Sequence, residues 1–404
     1  MNAPHYIKAG WLFEGGGGPA KKNMLLTVEN GIFTNLESFG ENRVPPSGAI
    51  TDLSRCTILP PLVDCHAHLS MSGAIDPQVR QRQLTAPYDE TYPRIAENIH
   101  YHFSHGVLAV RDGGDALGHS LRFKNESAAM KKEPVLVRVA GRAWHKRGRY
   151  GKVMGRSPQD NEKLPEAFGQ DKDAIDHVKI INSGINSLSV FAKESVPQFT
   201  LDELRKVVTM AHQRGCKVMV HANGHLPVQM ALEAGCESIE HGFFMGRDNL
   251  RRMADTETVW VPTVYTMKTL GEGGSLSFPN IDKGVVEKNL HHQLRQLERA
   301  REYGVRVAVG TDAGSWGVIH GESMVEELKL FLKAGYPLAE ALACASVNGA
   351  QLLGIEEIGS LAVGKPANFI VARATPAMLP RKLSYLQGVY LAGTPCCKDF
   401  FWRI

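Results

Sequence analysis

Short apolar, often β-branched runs recur between residues 55 and 355, and most end in a polar residue that is followed by a loop and a helical pattern. Such runs predict strands. Eight of them occur, namely "TILPPLV", "VLAV", "VLVRVA", "HVKII", "KVMV", "SIE", "TVWVP" and "RVAVG". Between them, residues 201–215 and 285–304 are amphipathic and end at glycine, which predicts two helices. Thr200 and Glu203 match an N-cap and its capping box at the start of the first helix.

Eight strand–helix units with polar residues at the strand ends predict an α/β fold, a (β/α)₈ TIM barrel with its active site at the C-terminal mouth. A doubly wound open sheet is the main alternative, but the sequence has no GxGxxG after the first strand. The flanks, residues 1–54 and 356–404, carry short strand patterns around glycine-rich turns, and each is too small for a core of its own. We therefore expect them to pair into one small discontinuous β-sandwich domain beside a barrel of residues 55–355.

Candidate metal ligands lie at the ends of five predicted strands. In "PLVDCHAHLS" (61–70), His66 and His68 are two residues apart and so project to the same side of a strand. Four other runs supply the further candidates Lys179, His221, His241 and Asp312. A barrel brings all strand ends to one mouth, and imidazoles and carboxylates are ligands for Zn²⁺. The pattern predicts a metal site, although Asp312 could instead be a helix N-cap.

The motifs "VDCHAHL", "VHANG", "IEHG" and "VGTDAG" resemble the strand-end motifs of the metal-dependent amidohydrolase superfamily. The resemblance is closest to its imidazolonepropionase-like and prolidase-like (Xaa-Pro dipeptidase, arginine carboxypeptidase) branch, and it spans nearly the whole chain. It implies two divalent metal ions, with Zn²⁺ as the expected metal. His66, His68 and Asp312 would bind one ion, His221 and His241 would bind the other, and Lys179, carboxylated by CO₂ to a carbamate, would bridge them. Lys193, in the following loop, is the rival position for the lysine.

The same resemblance implies hydrolysis of a small amide, either a dipeptide or an N-acyl amino acid, by metal-activated hydroxide with Asp312 as general base. Two alternatives stay open. One is a mononuclear deaminase or a cyclic-amide or lactone hydrolase with an unmodified Lys179. The other is a non-enzymatic scaffold barrel.

Candidate substrate contacts follow the third and seventh strands. The basic segment 142–152, "RAWHKRGRYGK", is either a solvated loop or a loop that overhangs the mouth and binds a substrate carboxylate through arginine. Its candidates are His145, Arg149 and Tyr150, and Tyr265 is a further one. Tyr150 and Asn223 stand where the resembled branch commonly has histidines, so the resemblance carries no particular specificity.

Composition limits the partners and the cellular location that we expect for this enzyme. The 404-residue chain has a formal net charge of only +4, which does not favour nucleic-acid binding. Seven cysteines without a CxxC pattern suit reduced thiols in the cytosol. The N-terminus lacks the pattern of a signal peptide, and no apolar run approaches the roughly 18 residues of a membrane span. We expect a cytoplasmic enzyme that acts on a small molecule without nucleic acid or membrane, and homo-oligomerisation stays open.

Overall fold

The strands of the two chain ends form one sheet. The computed structural model of this chain describes residues 4–40, 49–130, 134–273 and 280–396. The sheet has seven strands in the order β16-β15-β14-β4-β1-β2-β3. Their bounds are β1 (His5–Leu12), β2 (Lys21–Glu29), β3 (Ile32–Ser38), β4 (Ala49–Leu59), β14 (Phe369–Ala372), β15 (Leu386–Leu391) and β16 (Thr394–Cys396).

The junction between the two flanks lies at β4, which pairs in parallel with β1 and antiparallel with β14. Ile7, Phe33 and Ile58 from the N-terminal strands share a buried cluster with Phe369 and Val371 from β14. Neither flank supplies this core alone, because each buries its apolar side chains against the other.

The central segment contains two parallel sheets. One has the order β5-β6-β7 and the other the order β13-β12-β11-β10-β8-β9. The bounds are β5 (Leu62–Ala67), β6 (Val107–Asp112), β7 (Leu136–Val139), β8 (Ala143–Trp144), β9 (Gly155–Arg156), β10 (His177–Ile181), β11 (Lys217–Ala222), β12 (Ser238–His241) and β13 (Val259–Val261). Seven of the eight predicted runs therefore contain a strand.

The eighth run, "RVAVG" (306–310), forms isolated bridges and no regular strand. Val307 bridges Trp260 of β13, and the Cys65 amide of β5 donates to the Val309 carbonyl at 3.0 Å. The Val309 amide donates instead to the Cys344 carbonyl at 2.8 Å, so the run shares its hydrogen bonds with a helix. This extended segment thus contacts one edge strand of each central sheet.

Helices fill most connections between the central strands. They are α1 (Pro77–Thr85), α2 (Tyr88–Ser104), α3 (His119–Met130), α4 (Leu164–Gln170), α5 (Leu201–Gln213), α6 (His225–Ala234), α7 (Gly246–Ala254), α8 (Tyr265–Gly273), α9 (Lys283–Tyr303), α10 (Glu322–Lys333), α11 (Leu338–Cys344) and α12 (Val347–Leu353). Short 3₁₀ turns span Pro376–Met378 and Arg381–Tyr385. None of the described helices combines the length and the apolar character needed to cross a membrane.

Both helices expected from amphipathic periodicity are confirmed. The α5 helix begins after Thr200, whose hydroxyl accepts from the Glu203 amide while the Glu203 carboxylate accepts from the Thr200 amide. The α9 helix begins two residues earlier than predicted because the Asp282 carboxylate caps it, and it ends at Gly304 in the left-handed conformation. Local sequence signals therefore set the ends of both helices.

Candidate metal centre

Four histidines and one aspartate from distant parts of the chain meet at one place. The ring centroids of His66 and His68 are 5.5 Å apart, those of His66 and His241 are 4.9 Å apart, and those of His221 and His241 are 4.6 Å apart. The Asp312 Oδ1 lies 3.6 Å from the His66 Nε2 and 3.3 Å from the His68 Nε2. His66, His68 and Asp312 each offer a ligand atom within 4.8 Å of the other two.

The backbone adopts uncommon conformations where it presents two of these side chains. His241 and Asp312 have φ values of +66° and +57°. Non-glycine residues seldom occupy this region, and the cost is carried by the surrounding structure. For Asp312 part of that support is the hydrogen bond from its amide to the His66 carbonyl at 2.7 Å. The end of the eighth run is thereby tied directly to the end of β5.

Each of the four histidines has one ring nitrogen bound to a neighbouring protein group. The pairs are His66 Nδ1 with Glu240 Oε2 at 2.7 Å, His68 Nδ1 with the Gly114 carbonyl at 2.9 Å, His221 Nε2 with the Gly184 carbonyl at 3.1 Å, and His241 Nδ1 with Thr263 Oγ1 at 2.6 Å. Such bonds orient the ring and leave its other nitrogen available as a ligand. The donor set therefore fits a metal centre.

Beneath His66 lies a fully buried charged network that sequence reasoning missed. The Arg111 guanidinium donates to Glu240 Oε1 at 2.9 Å, to the Ser238 hydroxyl at 2.9 Å and to the Cys65 carbonyl at 2.7 Å. Glu240 is the residue before His241, so the acid in "IEHG" was a usable signal. Arg111 had no comparable signal, because only the tertiary structure brings β6 against β12.

Lys179 lies in the same cavity with its amine unpaired. Its side chain is 1% exposed, and the Nζ atom has no hydrogen-bond partner among the described residues. Burial lowers the pKa of Lys179 to about 8. A buried amine without a partner is costly, and a carbamate shared with cations would satisfy this position. The rival Lys193 is exposed on the loop that follows β10.

The protonation states of the centre suit cation binding. Burial, followed by the charge of Lys179, lowers the pKa of His66 to about 4 and that of His221 to about 3. Burial alone would raise the pKa of Asp312, but His66 and His68 outweigh it and hold that pKa well below its usual range. Neutral His66 and His221 beside an ionised Asp312 are what a divalent cation requires. Burial would lower the pKa of His68 too, but its hydrogen bond to Asp312 outweighs burial and raises it, so a cation would have to displace a proton there.

The candidate metal ligands line a cavity of about 270 Å³. Tyr150 lines it, with its ring centroid 5.3 Å from that of His221, and Asn223 lines it as well. The other described lining residues are His66, His68, Ser70, Met71, Arg80, Leu84, Gly114, Val153, Met154, Lys179, Ile185, Asn186, Leu188, His221, His241, Phe243, Thr266, Met267, Leu270, Asp312, Gly314, Ser315 and Trp316. Arg80 lies in α1 and Trp316 lies in a loop. Nothing in the sequence around either residue predicts that it lines this cavity.

Three of the four expected substrate contacts lie outside the described lining. The Arg149 guanidinium donates to the Val196 carbonyl at 3.2 Å, so it is turned toward the neighbouring loop. His145 is buried, and its Nδ1 lies 3.0 Å from the Lys146 carbonyl. At the start of α8, the Tyr265 amide donates to Glu327. Of the basic segment 142–152, Tyr150 alone contributes to the described lining.

The chain belongs to the amidohydrolase family, whose profile matches residues 57–392. It is 24% identical over 385 residues to the imidazolonepropionase of Deinococcus deserti, covering 87% of each chain. A solved structure of a Xaa-Pro dipeptidase with bound methionine has a TM-score of 0.82 and 26% identity, covering 98% of this chain and all of that one. The A. niger ochratoxinase has a TM-score of 0.78 and 18% identity, covering 97% of this chain and 95% of that one.

These likenesses confirm the predicted branch, imidazolonepropionase-like and prolidase-like, of the amidohydrolase superfamily. They imply a TIM barrel accompanied by a β-sandwich. They also support a hydrolase that acts on C–N bonds.

Proposed function

We propose that this chain is a binuclear metal-dependent hydrolase that cleaves a small amide, either a dipeptide or an N-acyl amino acid. The observation that carries the proposal is the buried Nζ of Lys179, which has no hydrogen-bond partner among the described residues and lies in a cavity shared with four histidines. Reaction of that neutral amine with CO₂ forms an N–C bond and releases a proton, which leaves a carbamate whose single negative charge is shared by two oxygens. A carbamate that bridges must lie between two cations. The four histidines and Asp312 are enough ligands to hold both.

The proposed assignment follows the family resemblance, and the closeness of His66, His68 and Asp312 supports its first part. His66, His68 and Asp312 would hold one cation, His221 and His241 would hold the second, and the carbamate of Lys179 would bridge them. When bound, the two ions would polarise the substrate carbonyl and lower the pKa of a water molecule. Zn²⁺ is the expected metal because imidazole nitrogens dominate the ligand set.

Asp312 is the proposed general base. Its carboxylate stays ionised, since the pKa increase that burial would cause is outweighed by His66 and His68, which lower the pKa. It would accept a proton from the attacking water and return it to the departing nitrogen. Tyr150, whose ring lies beside His221, would hold the substrate carbonyl through its phenol, which burial keeps protonated by raising its pKa.

The architecture proposed for this site is a closed (β/α)₈ barrel of residues 55–355, with a small β-sandwich domain of residues 1–54 and 356–404. The contacts of the eighth run with β13 and with β5 support closure on that side. The hydrogen bond from the Asp176 amide to the Val139 carbonyl, 3.0 Å long, supports it on the other. A cytoplasmic location also stays a prediction, and the free cysteines among the described residues agree with it.

A second candidate is hydrolysis of a cyclic amide at a single metal ion. The tight set of His66, His68 and Asp312 could hold one ion without Lys179. The likeness to an imidazolonepropionase supports this alternative as well.

The test combines metal analysis with turnover. The protein is reconstituted with Zn²⁺ and bicarbonate, and hydrolysis is assayed on dipeptides, N-acyl amino acids and cyclic amides. We expect two ions per chain, a mass increase on Lys179, and cleavage of a linear amide. Lys179→Met should lose one ion and most activity, whereas Lys193→Met, at the exposed rival position, should behave as wild type.

Other outcomes decide against the proposal. One ion per chain with an unmodified Lys179 and cleavage of cyclic amides alone would favour the second candidate. A protein that binds no metal and hydrolyses none of these compounds after reconstitution would reject both.

A further inference from the structure

Arg80 extends from α1 into the cavity, where it is hydrogen-bonded to the segment that follows Asp312, the proposed general base. Its Nη1 donates to the Ala74 carbonyl at 3.2 Å and to the Gly314 carbonyl at 3.1 Å. Gly314 lies two residues after Asp312, so the chain separates their Cα atoms by at most about 7 Å. The guanidinium is thus held at one edge of the site by a single nitrogen.

The rest of that guanidinium has no partner in the described part of the chain. Its Nε and Nη2 make no hydrogen bond there, and the Arg80 side chain is half-buried. Apart from Lys179 and the histidines, Arg80 is the one basic side chain among the described lining residues. Asp312 is the one carboxylate, and no ion pair joins it to Arg80 within the described residues. Two N–H donors on one guanidinium edge match a carboxylate in bidentate geometry.

The spacing suits the leaving group of an amide. In an N-acyl amino acid the carboxyl carbon follows the scissile carbonyl carbon by three bonds, about 4 Å along the chain. Because Arg80 is tied to the residue two positions after Asp312, we expect a carboxylate held by Arg80 to leave the scissile carbonyl near Asp312. Apolar side chains form much of the remaining wall, among them Met71, Leu84, Met154, Leu188, Met267 and Trp316.

We propose that Arg80 binds the free carboxylate of the amino-acid part of the substrate, and that the apolar wall selects an uncharged, apolar body. Arg80 is then a specificity-determining residue, and the substrate class narrows to N-acyl amino acids and dipeptides with an unblocked carboxyl end. The inference can be tested by binding and by kinetics. The kinetic test rests on the proposed amide hydrolysis, whereas the binding test does not.

The binding arm uses the metal-loaded enzyme with L-leucine and L-leucinamide, which differ only in the carboxylate. Calorimetry should show L-leucine binding at least about tenfold more tightly, because a hydrogen-bonded charge pair is lost in the amide. Arg80→Met should abolish this preference, and Arg80→Lys should restore part of it. Arg82→Met is the matched control on the same helix, since Arg82 is 77% exposed and pairs with Glu90, and it should leave the preference intact.

The kinetic arm compares N-acetyl-L-leucine with N-acetyl-L-leucinamide. Arg80→Met should raise KM for the acid by about ten- to a hundredfold while changing KM for the amide less than about twofold. Circular dichroism and the melting temperature establish that the variant is folded.

Three results would overturn the inference. Equal binding of L-leucine and L-leucinamide by the wild-type enzyme would show that no carboxylate is recognised, without any variant. A preference that survives Arg80→Met would assign recognition elsewhere. If Arg80→Met lowers kcat equally for both substrates, Arg80 only stabilises the loop around Gly314 and does not bind the carboxylate. Absence of hydrolysis with an intact leucine preference would reject the proposed function and leave the carboxylate site standing.

Discussion

Glu240 is a charged side chain next to the centre that is held by three neighbouring groups. It is fully buried between Arg111 and His66, and its carboxylate also accepts from the Ser238 hydroxyl at 2.6 Å. Burial by itself would raise the pKa of Glu240, but Arg111 and His66 outweigh it and keep the carboxyl ionised. The carboxylate therefore orients His66 and neutralises Arg111 at once.

Glu240→Gln removes the charge but keeps the shape. Because it leaves Arg111 buried without a counter-charge, we expect the free energy of unfolding to fall by about 3–5 kcal/mol. We also expect affinity for Zn²⁺ to fall by about ten- to a hundredfold, since His66 loses its orienting partner. Urea denaturation and competition with a chelator measure the two effects.

Glu257→Gln is the matched control for that change. Glu257 is 87% exposed and pairs with Arg306 at the surface, so its loss should cost less than about 1 kcal/mol. If Glu240→Gln resembles this control in both measurements, the buried network has no part in holding His66.

Lys179 gives a pH-dependent prediction at the same scale. Only the neutral amine reacts with CO₂, and burial lowers the pKa of Lys179 to about 8 from the usual value near 10.5. Raising the pH deprotonates the amine, so at a fixed concentration of dissolved CO₂ the initial rate of carbamate formation in metal-free protein should rise about tenfold per pH unit below pH 8 and level off above it.

Carbon-13 NMR with labelled CO₂ follows this reaction. Lys179→Met should lose the signal, and Lys193→Met should keep it. A rate that continues to rise beyond pH 10 in the wild-type protein would show an ordinary, exposed lysine as its source and contradict the prediction.

At the scale of the element, α5 shows how local chemistry supports a strand that carries a ligand. This helix follows the loop after β10, which bears Lys179, and precedes β11, which bears His221. Its first turn depends on the reciprocal hydrogen bonds of Thr200 and Glu203. The start of the helix is therefore sensitive to one hydroxyl group.

Thr200→Ala should lower the free energy of unfolding by about 1 kcal/mol, because a helix donor loses its cap. Thr209→Ala is the comparison within the same helix. Within the described residues the Thr209 hydroxyl donates only to the Arg205 carbonyl, so alanine should be neutral or slightly stabilising there. Denaturant titration of both variants measures the difference, and equal values would show that the cap contributes nothing.

At the scale of the whole molecule, the centre joins segments that are distant along the chain. Its ligand candidates extend from residue 66 on β5 to residue 312 after the eighth run, and β10, β11 and β12 contribute as well. The unfolded chain cannot keep these groups together, so any cation they hold binds the folded state preferentially.

Zn²⁺ should therefore raise the melting temperature, and a chelator should reverse the rise. At a free concentration a hundred times the dissociation constant, the added stability is about 2.7 kcal/mol. His66→Ala should lose most of this Zn²⁺-dependent increment, whereas His291→Ala, on the exposed side of α9, should keep it. Scanning calorimetry with and without Zn²⁺ is the measurement, and an increment that survives in His66→Ala would exclude His66 as a ligand.

The features that the sequence predicted correctly depend on interactions between residues close together along the chain. Strand runs, the caps of α5 and the end of α9 follow from residue spacing, which acts over a few residues. The Arg149 contact was expected from charge alone, yet its guanidinium meets the Val196 carbonyl, because nothing in a basic run specifies the direction of a side chain. Arg111 and Arg80 gave no signal for the same reason, since their partners lie far away along the chain.

The sequence by itself determined where strands end and which metal-capable side chains stand there, because alternation along a strand and capping of a helix are local interactions. The tertiary structure alone decided which of those side chains meet and what lies behind them. Only once the strands are packed together does Glu240 contact His66 and does Arg80 bond to Gly314, and only then is Lys179 buried without a partner in the described part of the chain. Those relations depend on distances between remote segments, which no local pattern encodes.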